Sequence, residues 1–146
     1  VVLDERCKES FDRQGLMRLI GAELVEVRDG RAVIEVPYRE GLTQQHGYFH
    51  AGVVSSIADT ASGYAAFSVM PADSSVLTVE FKINLINPAA GERLRAEAKV
   101  LKAGRTLVIV SATVFGVNDG EATPCAEFLG TMIVLKDASD VEPRRR

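Results

Sequence analysis

The apolar and polar positions of the chain change period twice. In residues 9–20, ESFDRQGLMRLI, Phe11, Leu16, Leu19 and Ile20 recur at close to helical spacing and predict a short N-terminal helix. Residues 22–37, AELVEVRDGRAVIEVP, alternate on either side of Asp29-Gly30, and an Asp-Gly pair between two such runs predicts a hairpin and the first two strands. REGLTQQHGYF (39–49) is a loop by composition, and a long apolar helix begins after it, near His50 or Ala51, and runs to Phe67. Beyond Pro71 the period becomes two. In VLTVEFKINLIN (76–87), alternation puts Leu77, Val79, Phe81, Ile83 and Leu85 on one face and Thr78, Glu80, Lys82 and Asn84 on the other, as in a half-buried antiparallel strand. ERLRAEAKVL (92–101) alternates likewise. TLVIVSATVFGV (106–117) is apolar on both faces, as a central strand is, and CAEFLGTMIVL (125–135) completes the set. Turn-forming residues separate these strands at Pro88-Ala89-Ala90-Gly91, Ala103-Gly104 and Asn118-Asp119-Gly120.

A short helix, a hairpin, a long apolar helix and four strands make an α+β layout. A sheet of about six strands has one face too large to leave wet, and the long helix is the element able to cover it. The 146 residues read as one domain over 1–146, with flexible termini at 1–8 and 137–146.

Composition narrows the function classes. No apolar run approaches the ~20 residues of a membrane span, so no membrane association is expected. The N-terminal residues lack a secretory pattern, and Cys7 and Cys125 stand in no metal or redox spacing; both read as structural thiols of a reducing compartment, which points to the cytoplasm. A net charge of −3 without a basic stripe argues against nucleic acid, and the terminal PRRR reads as a solvated tail. His46 and His50 have the spacing of a helical metal pair with Asp59 as a third ligand, but Gly47 and the loop composition make a continuous helix there improbable, and no metal is expected. Ser55 and Ser56 sit in an apolar helix without the elbow a nucleophilic serine needs.

On a helical wheel Val54, Ile57, Ala58, Ala61, Tyr64 and Ala65 fill more than half the circumference of the long helix, the mark of burial. Gly52, Ser55, Ser56, Asp59, Ser62, Gly63 and Ala66 form a stripe of small or polar residues. Either the stripe serves tight packing and Asp59 faces solvent, or it lets a ligand or another backbone come close. Capping does not explain Asp59, which lies at least two turns past the free N–H groups of the first turn. Those free amides, near Ala51 and Gly52, suit a developing oxyanion. Ala51 and Asp59 are eight residues apart, ~12 Å along a helix, too far for one chain to set both on one reacting carbon. If both act, the aspartate of one subunit meets the helix start of another, as two-fold symmetry provides.

HGYFHAGVVSSIADTASGYAA (46–66) resembles the signature of hotdog-fold acyl-CoA thioesterases of the phenylacetyl-CoA thioesterase type, in which an HGG-like turn opens the central helix and an Asp follows nine residues after its His. His50-Ala51-Gly52 and Asp59 keep that spacing, TVEFKINLINPA (78–89) resembles the following strand, and the likeness spans roughly residues 9–136. The resemblance implies a hotdog fold, a long central helix wrapped by an antiparallel sheet of about six strands. It also implies homodimers joined edge to edge, a tetramer built as a dimer of dimers, and active sites at the dimer interface. The implied activity is hydrolysis of an acyl- or aryl-acyl-CoA to free acid and coenzyme A, with no cofactor beyond the coenzyme A of the substrate.

By the same resemblance Asp59 is the general base or nucleophile, the Ala51 N–H of the partner subunit is the oxyanion donor, Gly52 completes the turn, His50 orients it or binds the thioester carbonyl, and Thr78 holds the attacking water. Relatives carry Asn in the loop before the histidines, where this chain has Gln44 and Gln45 beside His46 and Gly47; any of Gln44, Gln45 and His46 is a candidate contact. An ionised Asp59 on an apolar helix needs hydrogen bonds, for which Ser55, Ser62 and Thr78 are candidates. Coenzyme A phosphates call for basic residues, and Arg105, in the turn after Lys102, and Lys82 are the candidates. Gly63 and Ala66, with Tyr64 and Phe67, would line an acyl tunnel. Hotdog folds also host hydratases, dehydratases and acyl-CoA-binding proteins without turnover, and these are the alternative readings.

Overall fold

The structure is a computed structural model that describes residues 2–138 and 140; the terminal PRRR lies outside the described residues. Helices α1 (Glu5–Asp12) and α2 (Gly15–Ile20) precede strands β1 (Glu23–Arg28) and β2 (Arg31–Pro37). A single 3-10 turn (Glu40–Leu42) leads to α3 (Ala51–Phe67), followed by β3 (Ser75–Leu85), β4 (Arg93–Ala103), β5 (Leu107–Asn118) and β6 (Glu121–Leu135). None of the described helices is long and apolar enough to cross a membrane.

The helix expected over residues 9–20 is two helices. The Asp4 side chain accepts from the Cys7 N–H and caps α1, which therefore starts at Glu5, and Arg13-Gln14 break the helix before Gly15. The described part of the stretch expected as a flexible start is tied down: Leu3 bridges Val27, and Cys7 is fully buried. At the other end Asp140 pairs with Arg13 at 2.8 Å and accepts from the Ser75 hydroxyl at 3.2 Å. Arg6 fastens α1 to the far end of α3, donating to the carbonyls of Phe67, Met70 and Pro71 while its guanidinium lies 4.1 Å from the Phe67 ring centre.

All strand pairs are antiparallel, in the order β1-β2-β4-β5-β6-β3. The β1–β2 and β5–β6 hairpins turn through Asp29-Gly30 and Asp119-Gly120, where all four residues have positive φ, as the two-residue turn that matches strand twist requires. α3 lies across the sheet and buries Val54, Ile57, Ala58, Ala61 and Ala65 against Ile34, Leu94, Ala96, Val110 and Val114. Its alanines let the helix axis approach the strands closely. Cys7 and Cys125 are both buried and unpaired, and burial pushes their thiols up to about 12 and about 11.

β3 occupies the free edge beside β6 and departs from the alternation expected of it. The register shifts between Thr78 and Glu80, a bulge at Val79. Before it Thr78 pairs with the buried Met132; after it Phe81 pairs with Gly130, two residues along β6 on the same face. Thr78 therefore joins Phe81 and Ile83 on the helix-facing side, while Leu77 and Lys82 face away from the helix. Leu77, Val79, Phe81 and Leu85 are exposed in the single chain.

Candidate active site

The bulge delivers Thr78 to Asp59. The Thr78 hydroxyl donates to Asp59 Oδ1 at 2.7 Å and also lies 3.3 Å from the Met132 sulfur. Asp59 is half-buried on the outer side of α3, in a cleft of about 310 Å³ between α1–α2 and β3. Burial raises its carboxyl above the ordinary carboxylate range, and the Thr78 bond opposes the rise. Of the three hydroxyls expected as partners for Asp59, Thr78 is the one bonded to it. Gly63 floors the cleft, and a Cβ there would meet no neighbour. Tyr64 closes the end beyond, its hydroxyl 3.0 Å from Ser10 Oγ and accepting from Gln14 Nε2 at 3.1 Å.

The start of α3 is built around His50. Its Nδ1 accepts from the Gly52 N–H at 2.8 Å, and its carbonyl accepts from the amides of Val53 and Val54. Among the described residues no acceptor meets the Ala51 N–H. Of the two amides expected as oxyanion donors, that of Gly52 is thus engaged by the cap and that of Ala51 is open. A Cβ at position 52 would lie 3.0 Å from His50 Nδ1, so a larger residue there would require the imidazole to give by a few tenths of an ångström. Ala51, Gln44 and His46 line a cavity of about 490 Å³ with Leu85 and Cys125 on its far side. Gln44 Oε1 accepts from the His46 N–H at 2.5 Å, Gly47 supports the turn at φ 82°, and Gln45 is exposed on the turn without lining either cavity.

The two cavities share no lining residue within one chain. β3 contributes Val76, Leu77 and Thr78 to the first and Leu85 to the second, so the aspartate and the open amide sit at opposite ends of the same edge strand. His50 likewise stands nine residues from Asp59 along one continuous helix.

Five residues expected at the site fall elsewhere. Ser62 is fully buried with no hydrogen-bond partner for its hydroxyl among the described residues. Its wheel position adjoins Ala58, so it faces the core and not the cleft. Ala66 and Phe67 are also fully buried, which limits the expected tunnel to Gly63 and Tyr64. Lys82 pairs with Leu129 on the face away from the helix. Arg105 stands in the β4–β5 turn; Thr106 accepts from the Val134 N–H and Leu107 pairs with Ile133, itself opposite Leu77, which puts Arg105 at the Ser75 end of the sheet, two strands from β3. Sequence reasoning missed Ser10, Gln14 and Leu16 as walls of the Asp59 cleft. Among the described residues no group of three or more His, Cys, Asp or Glu side chains is placed to hold a metal ion.

Comparison with known proteins gives a consistent picture. A family model described as "Thioesterase superfamily" matches residues 46–123, from the loop ahead of α3 into β6. A crystal structure of a thioesterase family protein from Silicibacter pomeroyi is similar with 45% sequence identity and a TM-score of 0.88, covering 90% of this chain and 97% of that one. The acyl-coenzyme A thioesterase PaaI of Escherichia coli is 28% identical over 65% of this chain and 66% of its own. A 1,4-dihydroxy-2-naphthoyl-CoA hydrolase of Listeria monocytogenes is 29% identical over 63% of this chain and 75% of its own.

Proposed function

Because this chain belongs to the thioesterase superfamily, and is on that footing a thioester hydrolase, we propose that it cleaves an acyl- or aryl-acyl-CoA to the free acid and coenzyme A. The observation that carries the reading is Asp59, a half-buried carboxylate in an open cleft, held by a single hydroxyl donor. Its similarity to acyl-coenzyme A thioesterase PaaI supports coenzyme A as the thiol portion of the substrate.

In this mechanism Asp59 takes a proton from water as the water oxygen bonds to the thioester carbon. The carbonyl oxygen gains the negative charge and is met by the Ala51 N–H of a partner subunit. When the carbonyl re-forms, the carbon–sulfur bond breaks and the coenzyme A thiolate leaves, taking up the proton. If Asp59 attacks directly, the intermediate is a mixed anhydride that water then opens, and the products are the same. A carboxylate whose proton affinity is raised by burial is the stronger base. Thr78 steers Asp59 and His50 shapes the turn that presents the amide. The reading calls for no cofactor beyond the coenzyme A of the substrate.

The partner enters through β3. Two copies paired antiparallel along this edge, centred between Thr78 and Leu85, bring the Asp59 cleft of each against the Ala51 cavity of the other. The pairing would also cover the exposed apolar side chains of β3. We take the homodimer as the working unit, with a tetramer as its dimer of dimers, and Arg105 and Lys82 as the candidates for the coenzyme A phosphates. The test is release of free thiol from a panel of aryl- and alkyl-CoA thioesters by the purified chain and by Asp59→Asn, with molecular mass measured by light scattering. No thiol release from any thioester, or undiminished release by Asp59→Asn, overturns the proposal.

A further inference from the structure

A third cavity, of about 560 Å³, lies against the same side of α3 as the Asp59 cleft, nearer the helix N-terminus. Its apolar wall is Leu16, Leu19 and Ile20 from α2, Leu42 from the 3-10 turn and Val53 from α3, and Arg39, Thr43, His50 and Ser56 are its polar members. Leu16 and Ser56 line this cavity and the Asp59 cleft alike, so the two adjoin at these residues. Together they form a groove running along α3 from Asp59 to Val53, six residues or about 9 Å of helix. The passage between them offers no unpaired polar group, because the Ser56 hydroxyl donates back to the Gly52 carbonyl at 2.7 Å. The α2 wall is fixed in place. Met17 is buried in the core, and Arg39, at the rim of the groove, donates to the Leu19 carbonyl at 2.7 Å. Leu16 and Leu19 nevertheless remain 51% and 71% exposed, an apolar lip over the groove.

We infer that this groove is the acyl-chain site and that the chain it takes is aliphatic, with α2 as the segment that sets length specificity. The inference rests on the thioester hydrolase reading given above. A single ring fits beside Asp59 in the smaller cleft and makes no use of the space beyond Ser56. An extended methylene chain whose carbonyl is at Asp59 leaves the cleft past Leu16 and runs between α2 and Val53. Each methylene that enters exchanges water for leucine and valine side chains.

The purified chain is assayed for free coenzyme A with acetyl-, butyryl-, hexanoyl-, octanoyl- and decanoyl-CoA, beside phenylacetyl-CoA. kcat/KM is expected to climb by up to about fourfold per methylene through the middle of the series, chiefly in KM, and then to level off. Leu19→Glu puts a charge on the lip and is expected to lower the octanoyl-to-butyryl ratio on the order of tenfold. Leu19→Ala, a milder change at the same exposed position, should lower it less. A flat profile with every thioester turned over, or an unchanged ratio in both variants, refutes the groove while leaving the hydrolase reading in place. So does a change of molecular mass in Leu19→Glu without a change of ratio, which assigns the lip to a second copy of the chain. Failure to release thiol from any thioester refutes the hydrolase reading and the inference with it.

Discussion

The Thr78 hydroxyl reaches Asp59 Oδ1 at 2.7 Å because a one-residue bulge turns Thr78 to the helix side of an edge strand. Burial pushes the Asp59 proton affinity up, and this bond pulls it down. Thr78→Val should therefore raise the Asp59 pKa further. Asp59 acts as base only when ionised, so the acidic limb of the kcat profile should move to higher pH, while Thr78→Ser keeps it near its original position. A pH profile of thiol release checks both.

Asp59→Asn keeps an oxygen that can accept from Thr78 and removes the charge. Loss of the base is expected to reduce kcat by about 10²–10⁴. Stability should move the other way. A carboxyl whose pKa is raised on folding binds its proton more tightly in the folded than in the unfolded chain, so wild-type stability falls as pH rises from the unfolded carboxylate range through the folded pKa. Thermal melts should then show the variant at or above wild type near neutral pH, with the gap closing in acid.

His50→Ala removes the acceptor for the Gly52 amide and should cost about 1 kcal/mol, the usual worth of a lost N-cap. His50→Asn restores an acceptor and should recover most of that loss in denaturant melts. Activity is expected to fall in the alanine variant as well, since the Ala51 amide depends on the same turn for its direction.

Val79→Asp sets a charge at the bulge of β3, on a side chain 54% exposed in the single chain. The far-UV spectrum should be unchanged while light scattering reports a smaller particle and thiol release is lost. Retained activity in a monomeric variant would mean that one chain carries a complete site.

Element types were legible from periodicity and turn residues: the Asp29-Gly30 hairpin, the turn at Asn118-Asp119-Gly120, α3 with its start near His50 or Ala51, and the four long strands are all present, although β6 starts at Glu121, ahead of the run that predicted it. What the pattern did not carry was geometry between elements. Strict alternation places Thr78 with Glu80 on the solvent side; the Val79 bulge is a register event between β3 and β6, and no local signal in TVEFK announces it. Ser62 counted as part of a ligand-facing stripe because it is small and polar, yet the sheet wraps far enough round α3 to bury it beside Ala58. One wall of the Asp59 cleft comes from Ser10, Gln14 and Leu16, far upstream in the chain, and its placement depends on the Arg6 and Asp140 ties.

The two cysteines have a practical consequence. Both thiols are buried and held protonated, with pKa values of about 12 and about 11, and a protonated sulfur is a poor nucleophile. A chromogenic disulfide reagent mixed with the native protein should therefore find little to react with until coenzyme A is set free. Reaction of the protein's own sulfurs would then mark its unfolding, so one dye can follow turnover in the native state and denaturation on heating.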